Sequence, residues 1–264
     1  MTTPHLATYT LREGGGLPLV LLHAYPLDHR MWTECAQALP PGIRVLAVDL
    51  PGQGHSDLAG RAPTIEAAAD AVHATLTAQG EGHAVMAGIS LGGYVALALA
   101  ERHPASVRGL GLVDTRSTAD TEEARANRLR IADEAESTQA IDAVLGMPAK
   151  LLGETSLKNR RRLFPVLEAW IRAQSPAGIA WAQRAMAARP DRTEVLRGFT
   201  YPVAVVVGAE DSITPVPDAE HMAQAAPDSA LSVVPETGHL SAVEDPQAVA
   251  DALALLHGRA AGRH

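Results

Sequence analysis

Ser90, at the centre of Gly88-Ile89-Ser90-Leu91-Gly92, is the side chain of this sequence best placed to act as a nucleophile. An apolar run, Ala84-Val85-Met86-Ala87, precedes it, and a helix-like segment, Tyr94 to Ala100, follows. This predicts a strand, a sharp turn and a helix, with the serine held in a strained conformation and small residues two before and two after it. Gly88 and Gly92 meet that demand, and Gly93 is expected to add slack. A serine hydroxyl is a poor nucleophile at neutral pH, so it needs a base within hydrogen-bond reach and an acid that fixes the base's tautomer. His239, in Glu236-Thr237-Gly238-His239-Leu240, follows the last apolar run, and Asp211, in Val207-Gly208-Ala209-Glu210-Asp211, follows the run before it. The order Ser90, Asp211, His239 is the one expected when loops at successive strand ends meet over one elbow. Taken singly, these are a turn serine, a helix-capping acid and a surface histidine; together they predict acyl transfer. Asp114 and Glu210 are the competing acids, and the other role for Asp114 is a structural bond beneath the site.

Acyl transfer also needs fixed donors for a tetrahedral oxyanion, most simply two backbone N–H groups. Leu91, directly after the nucleophile and at a helix N-terminus, predicts one. Tyr25, in His23-Ala24-Tyr25-Pro26-Leu27 after an apolar run, predicts the other, because Pro26 restricts Tyr25 and has no N–H of its own. His23 reads as a residue that orients this loop, and the Tyr25 side chain as part of the pocket wall.

The elements that position these groups follow a β/α rhythm. Leu6 to Arg12 alternates, Gly14-Gly15-Gly16 breaks the chain, and Leu17 to Leu22 reads as a buried strand, predicting a hairpin. Helix-like Met31–Leu39, strand-like Ile43–Asp49 and helix-like Ile65–Ala78 lead to the elbow, and Val107 to Val113 continues the pattern. The rhythm predicts a mostly parallel sheet with helices on both faces and ligands beyond the strand C-termini. It stops between Thr115 and Arg197, where helical patterns cover Thr121–Glu136, Thr138–Leu152, Leu157–Ala173 and Ala177–Ala188. Strand character returns at Pro202–Val207 and Ala230–Val234, before a last helix over Pro246–Leu256. The expected organisation is a core of residues 1–115 and 198–264 carrying a helical cap over 116–197. Phe164, Trp170, Trp181 and Met186 are the large apolar residues the cap could offer a substrate, or they pack its helices together.

Composition narrows the function classes. The 264 residues are 47% hydrophobic and 20% charged, the balance of a folded globular chain. Thirty acidic against 22 basic side chains give a net charge of −8, which argues against nucleic acid and anionic membranes as partners. The single Cys35 excludes an internal disulfide and reads as a small buried apolar residue. Met1-Thr2-Thr3-Pro4-His5 lacks a signal-peptide pattern and no apolar run is long enough to span a bilayer, so a cytoplasmic location is expected. The eleven histidines are scattered with no H-E-x-x-H, which predicts no metal. Pro51 to Asp57 reads as a structural turn, since the chain has neither G-x-G-x-x-G nor a Walker lysine. Arg160-Arg161-Arg162 reads as a solvated face, with steering of an anionic substrate as the alternative.

Five segments together, His23-Ala24-Tyr25-Pro26, Asp49 to Ser56, Gly88 to Gly93, Gly208 to Asp211 and Gly238-His239, resemble the α/β-hydrolase fold superfamily over nearly the whole chain. Ala24 stands where that family commonly has glycine. Within the superfamily the chain is similar to enol-lactone hydrolases, small carboxylesterases and cofactor-free perhydrolases. The resemblance implies an α/β fold with a helical cap and cofactor-free hydrolysis of a small ester or lactone. C–C bond hydrolysis, a lyase step, perhydrolysis or a small-molecule receptor remain as alternatives. Serine at position 90 argues against the dehalogenase and epoxide hydrolase branches, which use an aspartate nucleophile.

Overall fold

The apolar runs form strands β1 (Thr8–Arg12), β2 (Gly15–Leu22), β3 (Ile43–Val48), β4 (Ala84–Ile89), β5 (Val107–Val113), β6 (Val203–Gly208) and β7 (Ser229–Val234). The computed structural model describes residues 5–262, so Met1 to Pro4, which carry most of the signal-peptide reading, lie outside it. The strands make one sheet in the order β1-β3-β2-β4-β5-β6-β7. Only β1 runs antiparallel; the other neighbours are parallel. Strands β4 and β6 are buried along their whole length, as continuous apolar runs must be when helices cover both faces.

The hairpin expected between β1 and β2 does not form. Both edges of β2 are taken by parallel partners, β3 and β4, so β1 crosses over and pairs antiparallel with β3. The Gly14 to Gly16 break therefore makes a crossover rather than a tight turn.

Helix Leu91–Arg102 packs on β2, β4 and β5 together with helix Ile65–Ala78, and helix Pro246–Ala261 packs on β5 and β6 together with helix Thr33–Ala38. The Thr64 hydroxyl caps the second of these, accepting from Ala67 N at 3.0 Å, and the Asp245 carboxylate caps the third, accepting from Ala248 N at 3.1 Å. Among the described residues no helix is long and apolar enough to cross a membrane.

Between β5 and β6 the chain is helical: Glu122–Thr138, Asp142–Leu145, Pro148–Leu151, Glu154–Asn159, Leu163–Arg172, Pro176–Ala188 and Thr193–Gly198. Two of the four long helices expected here are broken. Over Thr138–Leu152, Gly146 and Pro148 interrupt the helix, since proline cannot donate to the preceding turn. Over Leu157–Ala173, Pro165 is tolerated only in a first turn, so a new helix starts at Leu163.

Polar contacts seat this segment over the C-terminal ends of the strands. The Trp181 indole N–H donates to the Arg61 carbonyl at 2.9 Å, and the Gln174 amide donates to Asp28 at 2.9 Å. The buried Arg192 guanidinium reaches Glu66 and, at 2.9 Å, Glu101. Gly178 lies so close to Gly52 that a Cβ on it would stand 1.8 Å from the Gly52 carbonyl oxygen.

Candidate active site

The turn between β4 and helix Leu91–Arg102 carries Ser90 at φ 52° and ψ −112°, in the positive-φ region that a non-glycine residue occupies only when its surroundings enforce it. The surroundings do so through close approach. A Cβ on Gly88 would lie 2.1 Å from the Gly92 backbone, and one on Gly92 would lie 2.2 Å from the Leu22 carbonyl oxygen. Gly93 does not supply slack as expected: a Cβ there would meet the Thr115 side chain at 2.5 Å. That threonine hydroxyl donates to the Ser90 carbonyl at 2.8 Å and ties the elbow to β5.

Asp211 and His239 converge on this serine. The His239 Nε2 atom lies 2.8 Å from Ser90 Oγ, and its Nδ1 lies 2.8 Å from Asp211 Oδ2. A carboxylate only accepts, so Nδ1 carries the hydrogen and Nε2 presents a lone pair to the serine hydroxyl. All three side chains are buried, Ser90 least so at 8% exposure. Burial pushes the Asp211 carboxyl up, but the His239 charge and hydrogen bonds from His239 and Thr214 outweigh it and hold the group below the usual carboxylate range.

The competing acids do other work. Asp114 makes no hydrogen bond to the imidazole among the described residues. Its Oδ1 accepts from Gly208 N at 2.9 Å, and its Oδ2 accepts from the Ser241 amide and hydroxyl at 2.8 and 2.7 Å. It bolts β5 to the loops after β6 and β7. Complete burial and the neighbouring Asp211 charge push it up to about 7. Glu210 turns away to the Thr155 amide at 2.8 Å and the Thr155 hydroxyl.

Among the residues proposed to present backbone donors, Leu91 opens its helix and Tyr25 sits in the loop after β2, joined to Pro26 by a cis peptide. Neither amide donates to a protein acceptor among the described residues. The buried His23 orients the Tyr25 loop: its Nε2 accepts from Leu50 N at 2.8 Å, so Nδ1 must donate, and it does, to the Ala24 carbonyl at 2.9 Å. Burial lowers its pKa, which keeps the ring neutral for both bonds.

Two supporting residues escape sequence reading. The Thr214 hydroxyl donates to Asp211 Oδ2 at 2.7 Å, while Asp211 Oδ1 accepts the amides of Ile213 and Thr214 at 2.8 and 3.0 Å. The available signal was the Asp211-Ser212-Ile213-Thr214 spacing, in which an aspartate accepts amides two and three residues on. Buried Glu244 accepts from Gly238 N and Gly153 N, both at 2.9 Å, and so ties the His239 loop to the helical segment. No local pattern marks it.

The aromatic residues expected to touch substrate are dispersed. Phe164 is 37% exposed at the surface. Trp170 lines an outer groove with Arg30, Met31, Arg162 and Val166, and none of Ser90, Asp211 or His239 lines that groove. Trp181 packs against the Arg61 loop. None of these three lines the cavity beside Tyr25. That cavity, about 240 Å³, is walled by Tyr25, Asn127, Arg128, Met147, Lys150 and Gln183, with smaller apolar residues between them. None of Ser90, Asp211 or His239 lines it; the Leu151 carbonyl, at the end of helix Pro148–Leu151, accepts the His239 amide at 2.9 Å.

Two further sequence readings concern structure. Pro51 to Asp57 folds as a turn closed by Gly52 N to Ser56 O at 3.0 Å. Asp49, beneath it, accepts from the His29 amide at 2.9 Å and the His55 amide at 3.0 Å. Cys35 is fully buried, which raises its thiol to about 12.

Known proteins agree with this architecture. Residues 19–252 match the model of the alpha/beta hydrolase family. The chain is 32% identical over 240 residues to a pimeloyl-[acyl-carrier protein] methyl ester esterase of Aromatoleum aromaticum, covering 87% of this chain and 93% of that one. Among solved structures it is similar to a malate-bound thermophilic esterase from Thermogutta terrifontis, with a TM-score of 0.88, 35% identity, and 96% and 94% of the two chains covered. An enol-lactonase from Burkholderia xenovorans LB400 shares the fold, with a TM-score of 0.85 at 23% identity and 95% of each chain covered. With a strained serine turn after β4, a mostly parallel sheet and a family match across most of its length, this chain belongs to the alpha/beta hydrolase family.

Proposed function

We propose that this hydrolase cleaves a small carboxylic ester or lactone through an acyl-enzyme on Ser90, without a cofactor. The observation that carries the reading is the unbroken chain Ser90 Oγ, His239 Nε2, His239 Nδ1, Asp211 Oδ2, with 2.8 Å at each hydrogen bond. His239 takes the Ser90 proton as the oxygen attacks the carbonyl, and Asp211 balances the imidazolium that forms. The carbonyl oxygen becomes an oxyanion between the amides of Tyr25 and Leu91, the second aided by the helix dipole. His239 then returns its proton to the leaving alkoxide, and the alcohol departs. In the second half, His239 removes a proton from water, the hydroxide attacks the acyl-enzyme, and the acid leaves as Ser90 regains its proton.

The helical segment 116–197 serves as the cap, and its contact with the His239 loop through Leu151 and Glu244 supports that role. The relatives that act on esters, among them the methyl ester esterase and the thermophilic esterase, favour ester cleavage over the C–C, lyase and peracid alternatives.

Turnover of short-chain p-nitrophenyl esters by wild type and Ser90→Ala tests the reading. The expected loss is about 10³-fold or more in kcat with the fold retained. Equal turnover by the two proteins would remove Ser90 from the reaction.

A further inference from the structure

Every backbone amide from Gly238 to Ser241 is held. Gly238 N and Leu240 N, on either side of the proposed base, donate to the same oxygen, Glu244 Oε1, at 2.9 and 3.3 Å. His239 N donates to the Leu151 carbonyl at 2.9 Å, and Ser241 N donates to Asp114 at 2.8 Å. The other oxygen of Glu244 accepts from Gly153 N at 2.9 Å. This buried carboxylate therefore grips the backbone around His239 with one oxygen and the helical segment with the other. A buried amide without an acceptor is costly, so each bond restores the loop when it strays.

The same stretch of the helical segment reaches the loop that carries Asp211. Glu210, the residue before it, accepts from Thr155 N at 2.8 Å and from the Thr155 hydroxyl, and its own amide donates to the Thr237 carbonyl at 2.8 Å. The hydrogen bonds from Thr155 hold Glu210 below the usual glutamate range, so it stays an acceptor at neutral pH. Arg160, read from the sequence as part of a solvated face, instead donates to Ser156 Oγ at 2.9 Å and to the Glu236 carbonyl at 2.8 Å.

These segments touch without slack. A Cβ on Gly238 would stand 2.3 Å from Gly153 N, and one on Gly208 would stand 2.1 Å from the Gly238 carbonyl oxygen. The helical segment, the loop after β7 and the end of β6 thus meet backbone to backbone, and close-packed parts pass a shift from one to the next.

We infer that residues 151–155 brace the proposed triad, and that Glu244 and Glu210 are positioning residues that set His239 against Asp211. The inference rests on the serine hydrolase reading for what the triad does. Both residues act through the backbone, since their oxygens are spent on amides and on the Thr155 hydroxyl. Seating of the helical segment and alignment of the base become one event, because lifting residues 151–155 would release the His239 loop as well.

Glu244→Gln tests this, because a carboxamide has one acceptor oxygen and must turn an N–H towards either Gly153 N or Gly238 N. Glu210→Ala removes the second link, and Glu154→Gln, whose exposed carboxylate pairs with Lys158, is the control on the same stretch. Each variant is compared with wild type in steady-state kinetics on a p-nitrophenyl ester, in its rate of fluorophosphonate labelling at Ser90, and in the low-field proton resonance of His239 Nδ1. Urea midpoints confirm folding. The expected result is a fall in kcat and labelling rate of about 10- to 100-fold in Glu244→Gln and a severalfold fall in Glu210→Ala, at nearly constant KM. The resonance shifts or broadens in both, and Glu154→Gln matches wild type.

Residues that only stabilised the fold would lower the urea midpoint and leave kcat and the resonance where they are. That result overturns the inference, as does a loss confined to KM. Should Glu244→Gln fail to fold, Glu210→Ala decides by the same readouts. Absence of both hydrolysis and labelling in wild type would refute the serine hydrolase reading. The resonance then decides the brace, which fails if wild type lacks it or if neither variant moves it.

Discussion

Thr214 shows how the proposed triad is set at the scale of single residues. Its hydroxyl fills the last acceptor direction of Asp211 Oδ2 and lies 3.2 Å from His239 Nδ1, so it holds the carboxylate in line with the imidazole. Thr214→Val should lower kcat about tenfold with little change in KM, and Thr214→Ser should recover most of the loss; steady-state kinetics on a p-nitrophenyl ester checks both. An equal rise in KM would assign Thr214 to substrate binding instead. The convergence of Ser90, Asp211 and His239 was legible because the proposed acyl transfer restricts both the residue types and their order. Thr214 and Glu244 were not, because many side chains or a water can satisfy an aspartate or a loop amide, and only the folded geometry selects one.

At the scale of elements, the elbow is a packing problem before it is a chemical one. Gly92→Ala puts a methyl 2.2 Å from the Leu22 carbonyl, on backbone that cannot give way. The expected cost is about 4 kcal/mol or outright loss of folding, read from urea midpoints. Gly82→Ala, in open space, should stay within about 0.5 kcal/mol of wild type. The β/α rhythm was legible from burial, since strands covered on both faces must be apolar throughout. The partner of β1 was not, because a half-exposed strand alternates the same way whichever edge it joins. The helix breaks at Pro148 and Pro165 were visible as letters, but their effect depends on where each helix begins.

Across the whole molecule, Asp114 links β5 to the loops carrying Asp211 and His239, and it couples stability to pH. Its folded pKa of about 7 lies above the unfolded value of about 3.9. Its contribution is thus fully present below about pH 4 and is lost as the pH rises through about 7, because the unfolded chain ionises first. Relative to wild type, Asp114→Asn should therefore gain stability as the pH rises from about 4 to about 7, whatever constant cost the lost hydrogen bonds impose. Urea midpoints across that window check the sign, and a difference that does not vary with pH would contradict it. The placement of the helical segment is also a property of the whole chain: Arg192, Gln174 and Trp181 reach partners roughly 90 to 150 residues away in sequence.

The most direct test of a serine acyl-enzyme is intact-mass spectrometry after treatment with a fluorophosphonate, on wild type, Ser90→Ala and His239→Ala. One phosphonyl adduct on wild type, mapped to Ser90, absent from Ser90→Ala and strongly slowed in His239→Ala, is the expected result. An adduct that persists in Ser90→Ala, or none on wild type that turns over esters, would contradict a Ser90 nucleophile activated by His239.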